Sequence, residues 1–153
     1  MDIRPIDLDS PLGRALLQKA VAELNARYEA HEHNPGVLDA EAFRPANGGP
    51  FLVAFVDDEP AGCGGLRRID PNIAEVKRMY VEPAFRGRGI GRRVLEELEL
   101  FAKRLGYRIV RLETATRQPE AIRLYASSGY RRIPGYGVYA DSSLSVCFEK
   151  SLE

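Results

Sequence analysis

Val81-Glu82-Pro83-Ala84-Phe85-Arg86-Gly87-Arg88-Gly89-Ile90-Gly91-Arg92-Arg93 is the stretch on which the fold turns. Ahead of it, Ile73 to Val81 reads as a strand. Behind it, Ile90, Val94, Leu98, Phe101 and Leu105 form the stripe of an amphipathic helix from about Gly89 to Leu105. Gly106 sits where a helix-ending glycine belongs. Three alternate glycines mark the corner between strand and helix. Such a corner leaves backbone N–H groups unpaired and lets a ligand approach them without interference from Cβ. The positive end of the helix dipole points the same way. Arg86, Arg88, Arg92 and Arg93 add cationic side chains. The expected ligand is an anion, and a diphosphate fits best.

Two other phosphate motifs do not fit. A P-loop needs Lys-Ser or Lys-Thr after its glycines, and none follows here. The dinucleotide fingerprint G-x-G-x-x-G fails by one position, since Arg92 stands where the third glycine belongs.

Outward from the turn, the upstream part reads as an antiparallel meander. Phe51 to Val56 and Ala61 to Ile69 pair across an Asp57-Asp58-Glu59-Pro60 turn, and Ile73 to Val81 is the third strand. Further back, Asp2 to Leu8 is a short strand, and Ser10-Pro11 opens a helix striped by Leu12, Leu16, Ala20 and Leu24. Tyr28 to Pro50 is a long connection with a short helix around Leu38–Phe43. Downstream, Ile109 to Thr114 is a strand and Gln118 to Ser128 a helix. Tyr130 to Ile133 and Ser145 to Lys150 are the last two strands. The expected fold is one mixed α/β domain over residues 1–153. It has a twisted, mostly antiparallel sheet of about seven strands with helices on both faces.

Bulk properties narrow the function classes. At 44% hydrophobic and 29% charged residues, the composition is that of an ordinary globular domain. No apolar run approaches the roughly 20 residues of a bilayer crossing, and the N-terminus lacks a signal-peptide core. The expectation is a cytoplasmic protein without a membrane partner. Cys63 and Cys147 form no C-x-x-C pair and read as buried thiols, with no metal implied. Zero formal net charge argues against a nucleic-acid partner. Residues 1–60 hold 5 Lys/Arg against 11 Asp/Glu, and residues 61–153 hold 17 against 11. An anionic ligand suits the second part and a cationic one the first.

The pattern Arg86-x-x-Gly89-x-Gly91, after a strand and before a helix, resembles the acetyl-CoA signature of the GNAT superfamily of N-acetyltransferases. The resemblance runs from Phe51 to Ile133. Ala121-Ile122-Arg123-Leu124-Tyr125-Ala126-Ser127-Ser128-Gly129-Tyr130 resembles the second signature, a tyrosine ahead of a Gly-aromatic pair. The resemblance implies that the backbone of Arg86, Gly87, Arg88, Gly89, Ile90, Gly91 and Arg92 holds the coenzyme diphosphate. It implies that Met79, Tyr80 and Val81 pair with the pantetheine arm, with the Met79 N–H polarising the thioester carbonyl. Tyr125 is then the general acid for the departing thiolate. Gln118 departs from the family's frequent asparagine three residues before Ala121. Dimers are common among such proteins, so a homodimer is a partner the resemblance allows.

An acceptor ammonium must lose a proton before it attacks. Glu75 is the candidate base, eleven residues before Arg86, where some members of the family place a glutamate. An exposed strand carboxylate is the competing reading. His31 and His33 are alternatives that read more simply as surface residues, and Tyr28, Tyr136 and Tyr139 lie in connections that could border an acceptor pocket. The function implied is transfer of the acetyl group of acetyl-CoA to a primary amine of a small molecule. Direct attack in a ternary complex is expected, because no cysteine is placed as an acyl carrier. A non-catalytic acyl-CoA-binding module would keep the glycine turn without needing Tyr125 or Glu75. A protein N-terminus or lysine also stays open as the acceptor.

Overall fold

The computed structural model describes residues 1–27 and 39–153. Tyr28, His31 and His33 lie outside the described residues, as does Leu38. The part of the short helix expected after it, Ala40–Phe43, is one 3-10 turn.

The chain runs β1 (Asp2–Pro5), α1 (Pro11–Arg27), β2 (Phe51–Val56), β3 (Glu59–Asp70), β4 (Ile73–Val81), α2 (Ile90–Arg104), β5 (Ile109–Ala115), α3 (Pro119–Ser127), β6 (Arg131–Ile133) and β7 (Ser145–Ser151). The strands form one seven-stranded sheet in the order β1-β2-β3-β4-β5-β7-β6. β4 and β5 are parallel, and every other neighbouring pair is antiparallel. The parallel step is forced, because α2 crosses over between two consecutive strands of one sheet. Among the described residues, no helix is long and apolar enough to cross a membrane.

Local chemistry sets the element ends. The Ser10 hydroxyl accepts from the Gly13 N–H at 3.1 Å and caps α1, with Pro11 in the first turn. The β2–β3 hairpin is tighter than expected. Val56 faces Glu59, so only Asp57 and Asp58 form the loop, both with positive φ. Aspartate tolerates that conformation better than most residues, which suits a two-residue hairpin turn. β1 stops at Pro5 instead of reaching Leu8. Leu8 still enters the core, at 3% exposure.

Apolar layers lie on both sides of the sheet. One face packs Leu52, Leu66, Val110 and Leu112 against Val94, Leu95 and Leu98 of α2. The other gathers Val53, Phe55 and Cys63 with Phe51, Phe43 and Leu16 of α1. Both cysteines are free and buried, as expected.

Candidate active site

The pairing of β4 with β5 runs from Ile73–Ile109 to Val76–Leu112 and then stops. β5 continues along β7 as far as Ala115. β4 instead stays with β3 and passes through a bulge. Lys77 faces Gly65 and Tyr80 faces Cys63, so Arg78 and Met79 share the place opposite Gly64. Arg78 has φ +57° there. That left-handed conformation costs a residue with a side chain on the order of 1 kcal/mol or more. The strands part as a fork, and the β4 edge beyond Val76 is left without a strand on the β5 side.

A cleft of about 380 Å³ opens at this fork. Val76 and Arg78–Val81 form one wall, and Glu113 and Thr114 of β5 form the other. The turn contributes Phe85, Arg86, Gly87, Gly89, Ile90, Gly91 and Arg92. Helix α3 supplies Gln118, Glu120, Ala121, Leu124 and Tyr125, and α1 closes the mouth with Glu23, Leu24 and Arg27. Arg27 pairs with Glu120, tying the end of α1 to the start of α3.

At the turn, Gly87 and Gly89 have φ of +80° and +77°. A Cβ on either would meet nothing within 4 Å. Glycine is needed there for its backbone conformation, and the space beside it is open to a ligand. Gly89 stands at the N-cap of α2, with no side chain satisfying the first N–H groups. These uncapped donors face an anion's requirements directly.

The arginines are arranged differently from expectation. Arg86 donates from Nε to the Val81 carbonyl at 2.9 Å and pairs with Glu23 at 2.6 Å. Arg92 donates to the hydroxyls of Ser127 and Ser128 at 2.7 and 2.9 Å, bracing α2 against α3. Arg88 stacks over the Phe85 ring, 5.3 Å from its centroid, and is not part of the lining. Arg93 pairs along its own helix with Glu96 and Glu97 and is also outside it. Two of the four cations therefore border the cleft, and both brace its walls.

Tyr125 lines the cleft at 5% exposure, edge-on to Tyr130 with ring centroids 5.9 Å apart. Burial, and then the charge of Glu113, push its phenol pKa upward. The group therefore stays protonated at neutral pH, as a proton donor must.

Glu75 is placed elsewhere. It is fully buried and does not line the cleft. Its carboxylate accepts from Arg67 Nε at 2.7 Å and from the Tyr136 hydroxyl at 2.5 Å. It belongs to a row in which Arg67, Glu75, Arg111, Glu149 and Arg131 lie side by side across five strands. Tyr136 and Tyr139 strap the β6–β7 connection over this polar face, with Lys77 donating to the Tyr139 hydroxyl at 2.7 Å.

Three carboxylates line the cleft: Glu23 and Glu120 pair with Arg86 and Arg27, and the third, Glu113, which the sequence reading missed, is the one whose charge reaches Tyr125. It is one residue beyond the last β4–β5 pair. It accepts from the Ser145 hydroxyl at 2.8 Å. Burial pushes its pKa up, partly offset by the Ser145 hydrogen bond and by Lys77 and Arg78. A desolvated carboxylate beside a protonated phenol is the pairing that splits base and acid roles between two groups.

The Acetyltransferase (GNAT) family model matches residues 17–130. The chain belongs to this family. Among its relatives, the IAA acetyltransferase of Azospirillum brasilense is 39% identical over 103 residues, covering 67% of each chain. The N-alpha-acetyltransferase RimI of Mycobacterium tuberculosis is 35% identical over 140 residues, 86% of this chain and 82% of that one. A GNAT family acetyltransferase from Elizabethkingia anophelis, solved with acetyl-CoA bound, shares the fold with a TM-score of 0.69. It is 20% identical, over 98% of this chain and 97% of that one. The chain is thus an acetyltransferase of the GNAT type.

Proposed function

We propose that this acetyltransferase moves the acetyl group of acetyl-CoA to a primary amine of a small molecule by direct attack, with the chemistry at the β4–β5 fork. The observation that carries the reading is the cleft itself. It joins an uncapped helix N-terminus, an unpaired strand edge, a protonated phenol and a desolvated carboxylate along one wall system. The turn from Arg86 to Arg92 holds the diphosphate through backbone N–H groups. The free edge at Met79, Tyr80 and Val81 accepts the pantetheine arm as an added strand. The Met79 N–H donates to the thioester carbonyl as charge gathers on its oxygen.

Glu113 takes the proton from the acceptor ammonium, directly or through water, and Tyr125 gives one to the departing thiolate. The base role expected for Glu75 moves to Glu113, since the Glu75 carboxylate is committed to Arg67 and Tyr136. Glu75 then positions the β6–β7 strap. No cysteine borders the cleft among the described residues, which supports transfer without an acyl-enzyme.

The likeness to RimI, which spans most of this chain, favours a second reading in which the acceptor is a protein N-terminus. Release of coenzyme thiol from acetyl-CoA, measured with a panel of small amines and a panel of N-terminal peptides, separates the two. Turnover with small amines that exceeds turnover with every peptide supports the first reading. The opposite order transfers the assignment to the second.

A further inference from the structure

Lys77 is a half-buried cation at the fork to which the acetyl transfer gives no role. It follows Val76, whose pairing with Leu112 is the last between β4 and β5, just as Glu113 follows Leu112. The two are therefore the first residues on their strands where the sheet divides. Side chains alternate along a strand, so both lie on the face that carries Glu75 and Arg111. The strap contacts agree with that placement. Tyr136 donates to Glu75 at 2.5 Å, and Lys77 donates to the Tyr139 hydroxyl at 2.7 Å. Glu113 lines the cleft, whereas Lys77 is outside the lining.

Glu113 is surrounded mainly by neutral donors. From β7 come the Ser145 hydroxyl, hydrogen-bonded to it at 2.8 Å, and the Cys147 thiol opposite it in the sheet. From α3 comes Tyr125, and from the strap Tyr139. Burial pushes up the pKa of Cys147, Tyr125 and Tyr139, so all three stay protonated at neutral pH. The charges come from β4. Lys77 and Arg78 favour the carboxylate form of Glu113, Lys77 the more strongly, and Glu75 opposes it. Glu75 is itself paired with Arg67. Lys77 acts through space, its own hydrogen bond going to Tyr139. Burial, Arg78 and Arg67 lower the Lys77 pKa, while Glu75 and Glu113 raise it. From an ordinary value of about 10.4, the group remains an ammonium near neutrality. A carboxylate locked in a direct ion pair makes a poor base, and one desolvated with no cation nearby takes up a proton. A cation one rung away, tied to a hydroxyl, avoids both.

We infer that Lys77 is a positioning residue for the acetyl transfer: tied to Tyr139 at the first rung beyond the β4–β5 pairing, its ammonium holds the Glu113 carboxylate ready for the acceptor without entering the cleft. The inference rests on the assignment of Glu113 as the base and adds the residue that sets its working pH.

The test follows the acidic limb of kcat/KM for one small amine in wild type, Lys77→Gln, Lys77→Arg and Glu113→Gln. The acceptor's own ionisation is common to all of them, so differences belong to the enzyme. Lys77→Gln can still donate to Tyr139 but has lost the charge. Its limb should move up by about half a pH unit or more, which lowers kcat/KM about threefold on the acid side. Its rate at high pH and its affinity for acetyl-CoA should hold. Lys77→Arg keeps the charge and should stay near the wild-type limb. Lys77→Met is the second neutral variant, should the amide disturb folding. With the limb lost in Glu113→Gln, a limb unmoved in the neutral variants overturns the inference and leaves Glu113 as the base. So does a limb moved equally in Lys77→Arg. If Glu113→Gln overlays the wild type instead, the base assignment fails, and this inference fails with it.

Discussion

Tyr125 is both a buried member of the core and a part of the cleft wall, so its proposed role as proton donor is separable from packing by removing the hydroxyl alone. Tyr125→Phe keeps the ring contacts with Tyr130 and Phe148 and removes only the hydroxyl. We expect kcat to fall by roughly 10²-fold with acetyl-CoA affinity nearly unchanged. Steady-state kinetics beside calorimetry checks this, and normal turnover would return Tyr125 to the core.

Ser145 offers a finer probe, because its hydroxyl favours the charged form of Glu113. Ser145→Ala should raise the Glu113 pKa further and move the acidic limb of the kcat/KM profile to higher pH. An unmoved limb would separate Glu113 from the rate.

Tyr125 was legible in the sequence through its signature, while Glu113 was not. Nothing in the run Arg111-Leu112-Glu113-Thr114 distinguishes one strand carboxylate from another. What brings Glu113 to the cleft is that β4 leaves β5 one residue earlier, a tertiary fact that strand patterning does not carry. The surroundings of Glu75 were hidden for the same reason. Its offset from the signature suggested a base, but its partners Arg67 and Tyr136 come from a neighbouring strand and a distant loop.

At the scale of elements, periodicity was a good guide. The β2 and β4 bounds agree with the sequence reading, and α2 agrees to within a residue at each end, because strong apolar stripes and glycine punctuation fix them. The corner between β4 and α2 was read correctly as a turn, but its arginines were not. Their partners Glu23, Ser127 and Ser128 are far away in sequence. Gly91 allows a test of this corner free of backbone strain. A Cβ there meets Leu124 and Val81 at 3.5 Å, ordinary contact. Gly91→Ala should therefore fold as well as wild type while narrowing the ligand side of the turn. We expect acetyl-CoA affinity to fall about tenfold, roughly 1.4 kcal/mol. Unchanged affinity by calorimetry would move the diphosphate elsewhere.

At the scale of the whole molecule, the sheet is continuous from β1 to β6 but splits at its single parallel step. The apolar layer under α2 spans both halves, joining Leu52 and Leu66 to Val110, Leu112 and Phe148, so the fork can stay open without loosening the core. The raised Glu113 pKa ties stability to function. The folded state prefers the protonated acid, so the group's full contribution is present below the ordinary carboxylate pKa and is lost as pH rises through the raised one. Glu113→Gln should accordingly match wild-type stability at low pH and exceed it near neutrality, by thermal melts.

The same variant tests the placement of the chemistry most directly, through kcat/KM for one small amine from pH 6 to 9. With acetyl-CoA affinity preserved, Glu113→Gln should be slower by about 10²-fold near neutrality and recover toward high pH, where free amine needs no base. Glu75→Gln should keep the wild-type shape. A Glu113→Gln profile that overlays the wild type across this range would contradict the assignment of the β4–β5 fork as the reaction site.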